Sequence, residues 1–178
     1  MLPHGSGARW RVLQFLTALS VRPNPEVDLR LRAVVQNDAL WALLRRMTPF
    51  DRSHHLHVYE ALRSAGYSDP DLLLAGALHD VGKADDRGRV WLVHRVTKVL
   101  LARRAPGLLN NLTNVKGNAF AHGLYLCVQH AELGALLAES AGASPRCCEL
   151  IRLHEEDADS VADRDLLALI RADHGARA

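Results

Sequence analysis

The residues best placed to do chemistry are His79 and Asp80, neighbours in the stretch Leu72-Leu-Leu-Ala-Gly-Ala-Leu-His79-Asp80-Val-Gly-Lys83. An adjacent imidazole and carboxylate can reach one cation where a helix end opens onto a cavity, and Gly82 supplies such an end. Leu72–Leu78 is apolar all round, so the helix before the pair is expected to be buried on every side. A metal ligand must project into a shared interior cavity, so it lies on the apolar stripe of its helix and not on the wet face. Applied to the ten histidines, this test selects among the crowded His54, His55 and His57. Val58, Ala61, Leu62 and Ala65 define a stripe at i, i+3, i+4 and i+7, and His54 falls close to its centre. At ~100° per residue, His55 and His57 fall roughly 75–85° to either side, so His54 is expected to be the inward one. Asp173 extends the stripe of Leu166, Leu169 and Ile170, and His154 extends that of Cys147, Leu150 and Ile151. His130 shares a stripe with Leu133, Gly134 and Leu137. An aspartate at a buried helix position is expensive unless it is paired or coordinates a metal.

His54, His79, Asp80 and Asp173 together make a mixed nitrogen and oxygen site suited to Mn²⁺, Fe²⁺, Ni²⁺, Co²⁺, Zn²⁺ or Mg²⁺. Such a site leaves coordination positions for water and phosphate, lowers the pKa of the water and polarises the phosphoryl group. Lys83 reads either as an electrostatic partner for that phosphate or as a cation at a helix C-terminus. His122 is a further candidate for the same cavity. Between Arg87 and Ala131 there is no acidic residue but seven basic ones: Arg87, Arg89, Arg95, Lys98, Arg103, Arg104 and Lys116. That run is either a solvated helix face or a positive surface that attracts a phosphorylated substrate. Trp10, Trp41 and Trp91 read as packing residues, not as platforms for bases.

The elements that must hold these groups read as helices throughout, and the expected fold is all-α, about seven helices around a metal site. Leu, Ala and Arg dominate a chain that is 48% hydrophobic and 24% charged, and β-branched runs are sparse. The pattern predicts helices over 9–20, 26–47, 52–65 and from Asp69-Pro70 to about Gly82, then about 89–104, 122–140, 145–156 and 163–173. Residues 83–88 read as a polar turn and 107–121 as the most loop-like stretch. With 178 residues, no repeat and no linker, the chain reads as one domain, 1–178. A net charge of +2 does not announce a binder of nucleic-acid polymers. Cys127, Cys147 and Cys148 form neither a disulfide framework nor a zinc motif, which fits a reducing, cytoplasmic setting. No apolar run is long enough for a membrane span, and the N-terminal stretch reads as an ordinary helix, not a signal peptide.

The stretch Asp51-Arg-Ser-His54, followed by the His79-Asp80 segment and its trailing Val-Gly-Lys83, resembles the HD superfamily of phosphohydrolases. That family is defined by a His, a downstream His-Asp pair and a distal Asp. The resemblance covers roughly 50–175, leaving the helices in 1–49 as an N-terminal extension on the core. It implies an all-helical fold and a divalent metal on His54, His79, Asp80 and Asp173. It also implies hydrolysis of a phosphomonoester or phosphodiester in a small phosphorylated substrate, a nucleotide being the favoured class; the catalytic groups read from the residues themselves are Asp80, to orient or deprotonate the water, and Lys83. Asp173 in Leu169-Ile-Arg-Ala-Asp173 resembles the closing Ala-Asp of the family, with Asp163 and Asp165 as rivals. His130-Ala-Glu-Leu-Gly134 and His154-Glu155 resemble elements of the dinuclear branch, which includes cyclic-di-nucleotide phosphodiesterases. Leu153 stands where that branch has another histidine, and its Gly-Tyr-Pro signature is missing, which argues against cyclic-di-nucleotide cleavage. His130 and His154 are then either second-metal ligands or groups that contact phosphate. The alternative function is a non-catalytic module of the same fold that binds a nucleotide or metal.

Overall fold

A computed structural model describes residues 23–113 and 117–176, and among them the regular structure is helical, with a single isolated antiparallel bridge between Ala84 and Arg89. The helices are α1 (Pro25–Val34), α2 (Asp38–Arg46), α3 (Pro49–Ser64), α4 (Pro70–Leu78), α5 (Leu92–Arg104), α6 (Pro106–Leu112), α7 (Ala119–Ser140), α8 (Pro145–Leu153) and α9 (Arg164–Ala176). A 3₁₀ turn, Val81–Lys83, follows α4. The expected helix over 9–20, with Trp10, lies outside the described residues, as does Lys116. No helix among the described residues is long and apolar enough to cross a membrane.

Local chemistry explains where the helices begin. Proline opens α1, α3, α4, α6 and α8, where its missing N–H costs nothing. The preceding Asn24, Thr48, Asp69 and Ser144 cap four of these with side-chain oxygens.

Three boundaries differ from the expected ones. The helix expected over 26–47 is two, because the Asn37 side chain accepts from the Ala39 and Leu40 amides and so starts a new helix at Asp38. The loop expected over 107–121 contains α6 and the first turn of α7, which Asn118 caps. Helix α5 begins at Leu92 and not near 89, because the Val90 amide donates to the Lys83 carbonyl across the Ala84–Arg89 bridge.

One core unites the signature region with the N-terminal helices. Leu31 of α1 and Leu40, Leu43 and Leu44 of α2 are buried in the same cluster as Leu62, Leu72, Leu78, Ile151, Leu169 and Ile170. Helix α4 is apolar all round because α3, α8, α9 and α1 surround it. At Gly76 an added Cβ would stand 2.7 Å from Leu62 Cδ1, so α3 and α4 approach closely at that point. The 3₁₀ turn lies against α7, Gly82 to Gly134, backbone to backbone.

Candidate metal centre

Asp80 sits at the end of α4 just before the 3₁₀ turn, and the Gly82–Gly134 approach carries it up to His130 on α7. His79 caps α4, His154 caps α8, and both are fully buried with His130 and Asp80. The imidazole Nε2 of His79 is 3.5 Å from Asp80 Oδ2, and those of His130 and His154 are 3.2 and 3.5 Å from Oδ1. Asp173 Oδ1 of α9 lies 3.5 Å from the same His79 Nε2 and accepts a 2.8 Å hydrogen bond from His54 Nε2. Four helices and the end of α4 therefore deliver His54, His79, Asp80, Asp173, His130 and His154 to one place.

The ring nitrogens carry the information. His79, His130 and His154 each donate from Nδ1 to the backbone carbonyl three residues earlier: Gly76 at 3.0 Å, Cys127 at 3.1 Å and Ile151 at 2.7 Å. In a neutral ring the proton is then on Nδ1, and Nε2 presents a lone pair. All three Nε2 atoms and Asp80 Oδ1 are buried without a hydrogen-bond partner. Burial pushes the His79 ring below its ordinary pKa, and burial together with the Lys83 charge pushes His130 down to about 4. Lone pairs thus face a carboxylate held ionised: burial would raise Asp80, but Lys83 and His79 keep it well below the usual carboxylate range. Such an arrangement is unfavourable unless a cation lies between the acceptors. Among the described residues, two groups of ligand atoms have that geometry, His54–His79–Asp80 and Asp80–His130–His154, and each could hold a metal ion. Asp80 belongs to both.

Asp173 is separated from its rivals by position. It is buried, whereas Asp163 caps α9 through the Asp165 and Leu166 amides and pairs with Arg146 at 2.7 Å. Asp165 lies on that same outer edge, 3.5 Å from Arg146. The His54 hydrogen bond holds the Asp173 carboxyl far below its ordinary range against the opposing effect of burial.

Three expectations are corrected. His54 is not the one inward histidine of α3: His55 is fully buried, stacks on His79 with ring centroids 4.8 Å apart and donates from Nδ1 to the Ala77 carbonyl at 2.6 Å. Helix α3 contacts α1, α4 and α9, so its buried arc is wider than the single stripe read from Val58, Ala61, Leu62 and Ala65. His57 is exposed as expected. His122 does not join the centre, because its Nε2 donates to Asp85 at 2.9 Å and ties α7 to the 84–89 turn. Lys83 is neither a solvent-facing helix cap nor free. It is buried and ion-paired with Asp80 Oδ2.

Sequence reasoning missed Asp51, Arg95 and Glu155. Asp51 is buried at the start of α3, where it accepts from Thr48 Oγ1 at 2.7 Å and pairs with Arg95 of α5. Its signal was the spacing Thr48-Pro-Phe-Asp51, the two ends of a capping box. Glu155 lies 3.6 Å from His130 Nε2 and pairs with Lys98 at 3.1 Å. Comparison of the chain with protein-family models, curated proteins and solved structures finds no match.

The buried histidines set an acid limit on stability. Burial and the neighbouring His79 push His55 down to about 3, below its ordinary value near 6.5. A ring whose pKa is lower in the folded protein stabilises it above the unfolded pKa, and that stability is lost as pH falls. Metal-stripped protein should therefore lose melting temperature between about pH 6.5 and 4, a window in which His55 and His130 act in the same direction. Thermal melts in chelator from pH 7.5 to 4 check this, and a flat profile contradicts it.

Proposed function

We propose that the chain is a metal-dependent phosphohydrolase, of the type its sequence resembles, that hydrolyses a phosphoester of a small phosphorylated substrate, a nucleotide being the favoured class. The observation that supports this most is the opposition of three unpartnered imidazole Nε2 atoms and the Asp80 carboxylate. The donor set also fits: neutral imidazoles and carboxylates suit Mn²⁺, Fe²⁺, Ni²⁺, Co²⁺, Zn²⁺ or Mg²⁺. His54, His79, Asp80 and Asp173 would hold one ion, and Asp80, His130 and His154 a second. This reads His130 and His154 as ligands in preference to phosphate contacts, because their free nitrogens point at Asp80. A divalent ion bound there supplies Lewis acidity, polarising the phosphoryl group and lowering the pKa of water.

The chain's own groups do the rest. The backbone carbonyls of Gly76, Cys127 and Ile151 fix three ligand rings in one tautomer and orientation. Asp80 orients the attacking water and accepts its proton, and Lys83, one turn along, places a positive charge beside the phosphate. Release of phosphate from a panel of phosphomonoesters and phosphodiesters, with Mn²⁺, Mg²⁺, Co²⁺ and Ni²⁺ added in turn, tests this. Turnover that disappears in chelator and returns with metal is expected. A flat panel with a nucleotide raising the melting temperature would favour the non-catalytic binding module.

The distal ligand gives a sharper comparison. Asp173→Asn should lower bound metal and turnover at least tenfold, the scale on which ligand-shell losses act, roughly 10–100-fold. Asp163→Asn should loosen the start of α9 and leave metal content at the parent level. Elemental analysis of both variants decides between the two aspartates, and equal loss would remove Asp173 from the ligand set.

A further inference from the structure

Helix α5 packs on α7, the helix that carries His130, and two of its cations one turn apart form ion pairs with neighbouring elements. Arg95 pairs with the buried Asp51 of α3, and one turn on, Lys98 pairs with Glu155 just past α8 at 3.1 and 3.3 Å. Both cations remain approachable, with 31% of the Arg95 side chain and 29% of Lys98 in solvent. Glu155, the partner of Lys98, itself lies 3.6 Å from His130 Nε2, which places that pair at the edge of the centre. Each of these cations is balanced by its own carboxylate, Lys83 by Asp80, Arg95 by Asp51 and Lys98 by Glu155, whereas Asp173 faces His54 and His79. Divalent ions would add net positive charge there.

Resting on the phosphohydrolase reading, we propose that Arg95 and Lys98 form a second anion subsite that takes the phosphate next to the reacting one, so that the substrate carries two neighbouring phosphates. Lys83 belongs to the reacting position because it contacts Asp80 itself. Arg95 is the right group for the neighbouring one, since its planar guanidinium can hold Asp51 and a phosphate oxygen together. Lys98 is held by a half-exposed carboxylate at ordinary ion-pair distance, a contact worth little in solvent. A phosphate can take Glu155's place at small cost. A lone monoester leaves these two cations with only their carboxylates, whereas a diphosphate fills both positions at once.

The test is calorimetric binding of inorganic pyrophosphate and orthophosphate, each to chelator-stripped and to Mn²⁺-loaded protein. The parent should bind pyrophosphate about tenfold or more tighter than orthophosphate in both states. Lys98→Gln should lose most of that preference with its manganese content unchanged. Arg95→Gln leaves Asp51 buried without its partner, so Arg95→Gln/Asp51→Asn, which removes both charges, is the matched variant and should lose the preference as well. A parent without the preference, or variants that retain it in full, overturns the subsite. A parent that binds no manganese yet shows an α5-dependent preference for pyrophosphate overturns the metal reading and leaves the anion subsite standing.

Discussion

Asp80→Ala should leave the purified protein with little bound metal and reduce metal-dependent phosphate release by at least about a thousandfold, roughly 4 kcal/mol of barrier. The size follows from position. Asp80 is the one residue common to both candidate ligand groups, its Oδ2 facing His79 and its Oδ1 facing His130 and His154. Removing it takes a ligand from each position and takes away the group assigned to the water. It also strands Lys83, a buried cation whose partner is gone, and breaking a buried pair costs about 3–5 kcal/mol. A loss of activity in Asp80→Ala alone could therefore reflect unfolding. Asp80→Asn/Lys83→Met removes both charges with little change in volume and separates the two causes. That variant should melt cooperatively near the parent and still carry little metal. Parent-like metal in the folded double variant would exclude Asp80 as a ligand.

Among the described glycines, Gly82 is where an added methyl should destabilise most, as Gly82→Ala. An added Cβ would stand 2.6 Å from the Gly134 nitrogen and closer still to the His130 carbonyl. Both are backbone atoms of α7, so no rotamer change relieves the clash, and the 3₁₀ turn or the helix must move. Overpacking of this kind costs roughly 1–3 kcal/mol, and here the upper end applies, a fall in melting temperature on the order of 10 °C. Because the displaced contact is the one that brings Asp80 to His130, metal affinity should fall together with stability. Gly107→Ala is the control, since a Cβ there meets nothing within 4 Å. Melts of the three proteins settle it, and Gly82→Ala melting within a degree or two of the parent would show that the contact is not required.

The helical class and most of the centre were legible in the sequence. Apolar stripes place His54, His130, His154 and Asp173 on inward faces, and the all-apolar Leu72–Leu78 marks the helix that ends in His79-Asp80. What stayed illegible depends on neighbours distant in sequence. A stripe says which residue faces one partner helix, but α3 has three, and that is why His55 is buried despite lying off the stripe. The Arg95–Asp51 and Lys98–Glu155 pairs join residues 44 and 57 positions apart, and periodicity carries no signal at that range. His122 is a histidine on an inward face whose partner turned out to be Asp85, a pairing that only the path of the 84–89 turn decides. The break at Asn37 was a local signal, an asparagine followed by an acid, outweighed by the helical spacing on either side.

The proposed activity rests on a cation site formed by the acceptor atoms that face one another around Asp80. Calorimetric titration of Mn²⁺ into chelator-stripped protein at pH 7.5, with elemental analysis of the product, tests it most directly. Two ions per chain are the expected result, accompanied by a rise in melting temperature, since binding to the folded state alone adds stability by mass action. His154→Ala should reduce the stoichiometry to one, and Asp80→Asn/Lys83→Met should bring it close to none. A stripped parent that binds no manganese or other divalent ion at millimolar concentration, and melts at the same temperature with and without it, would contradict the claim.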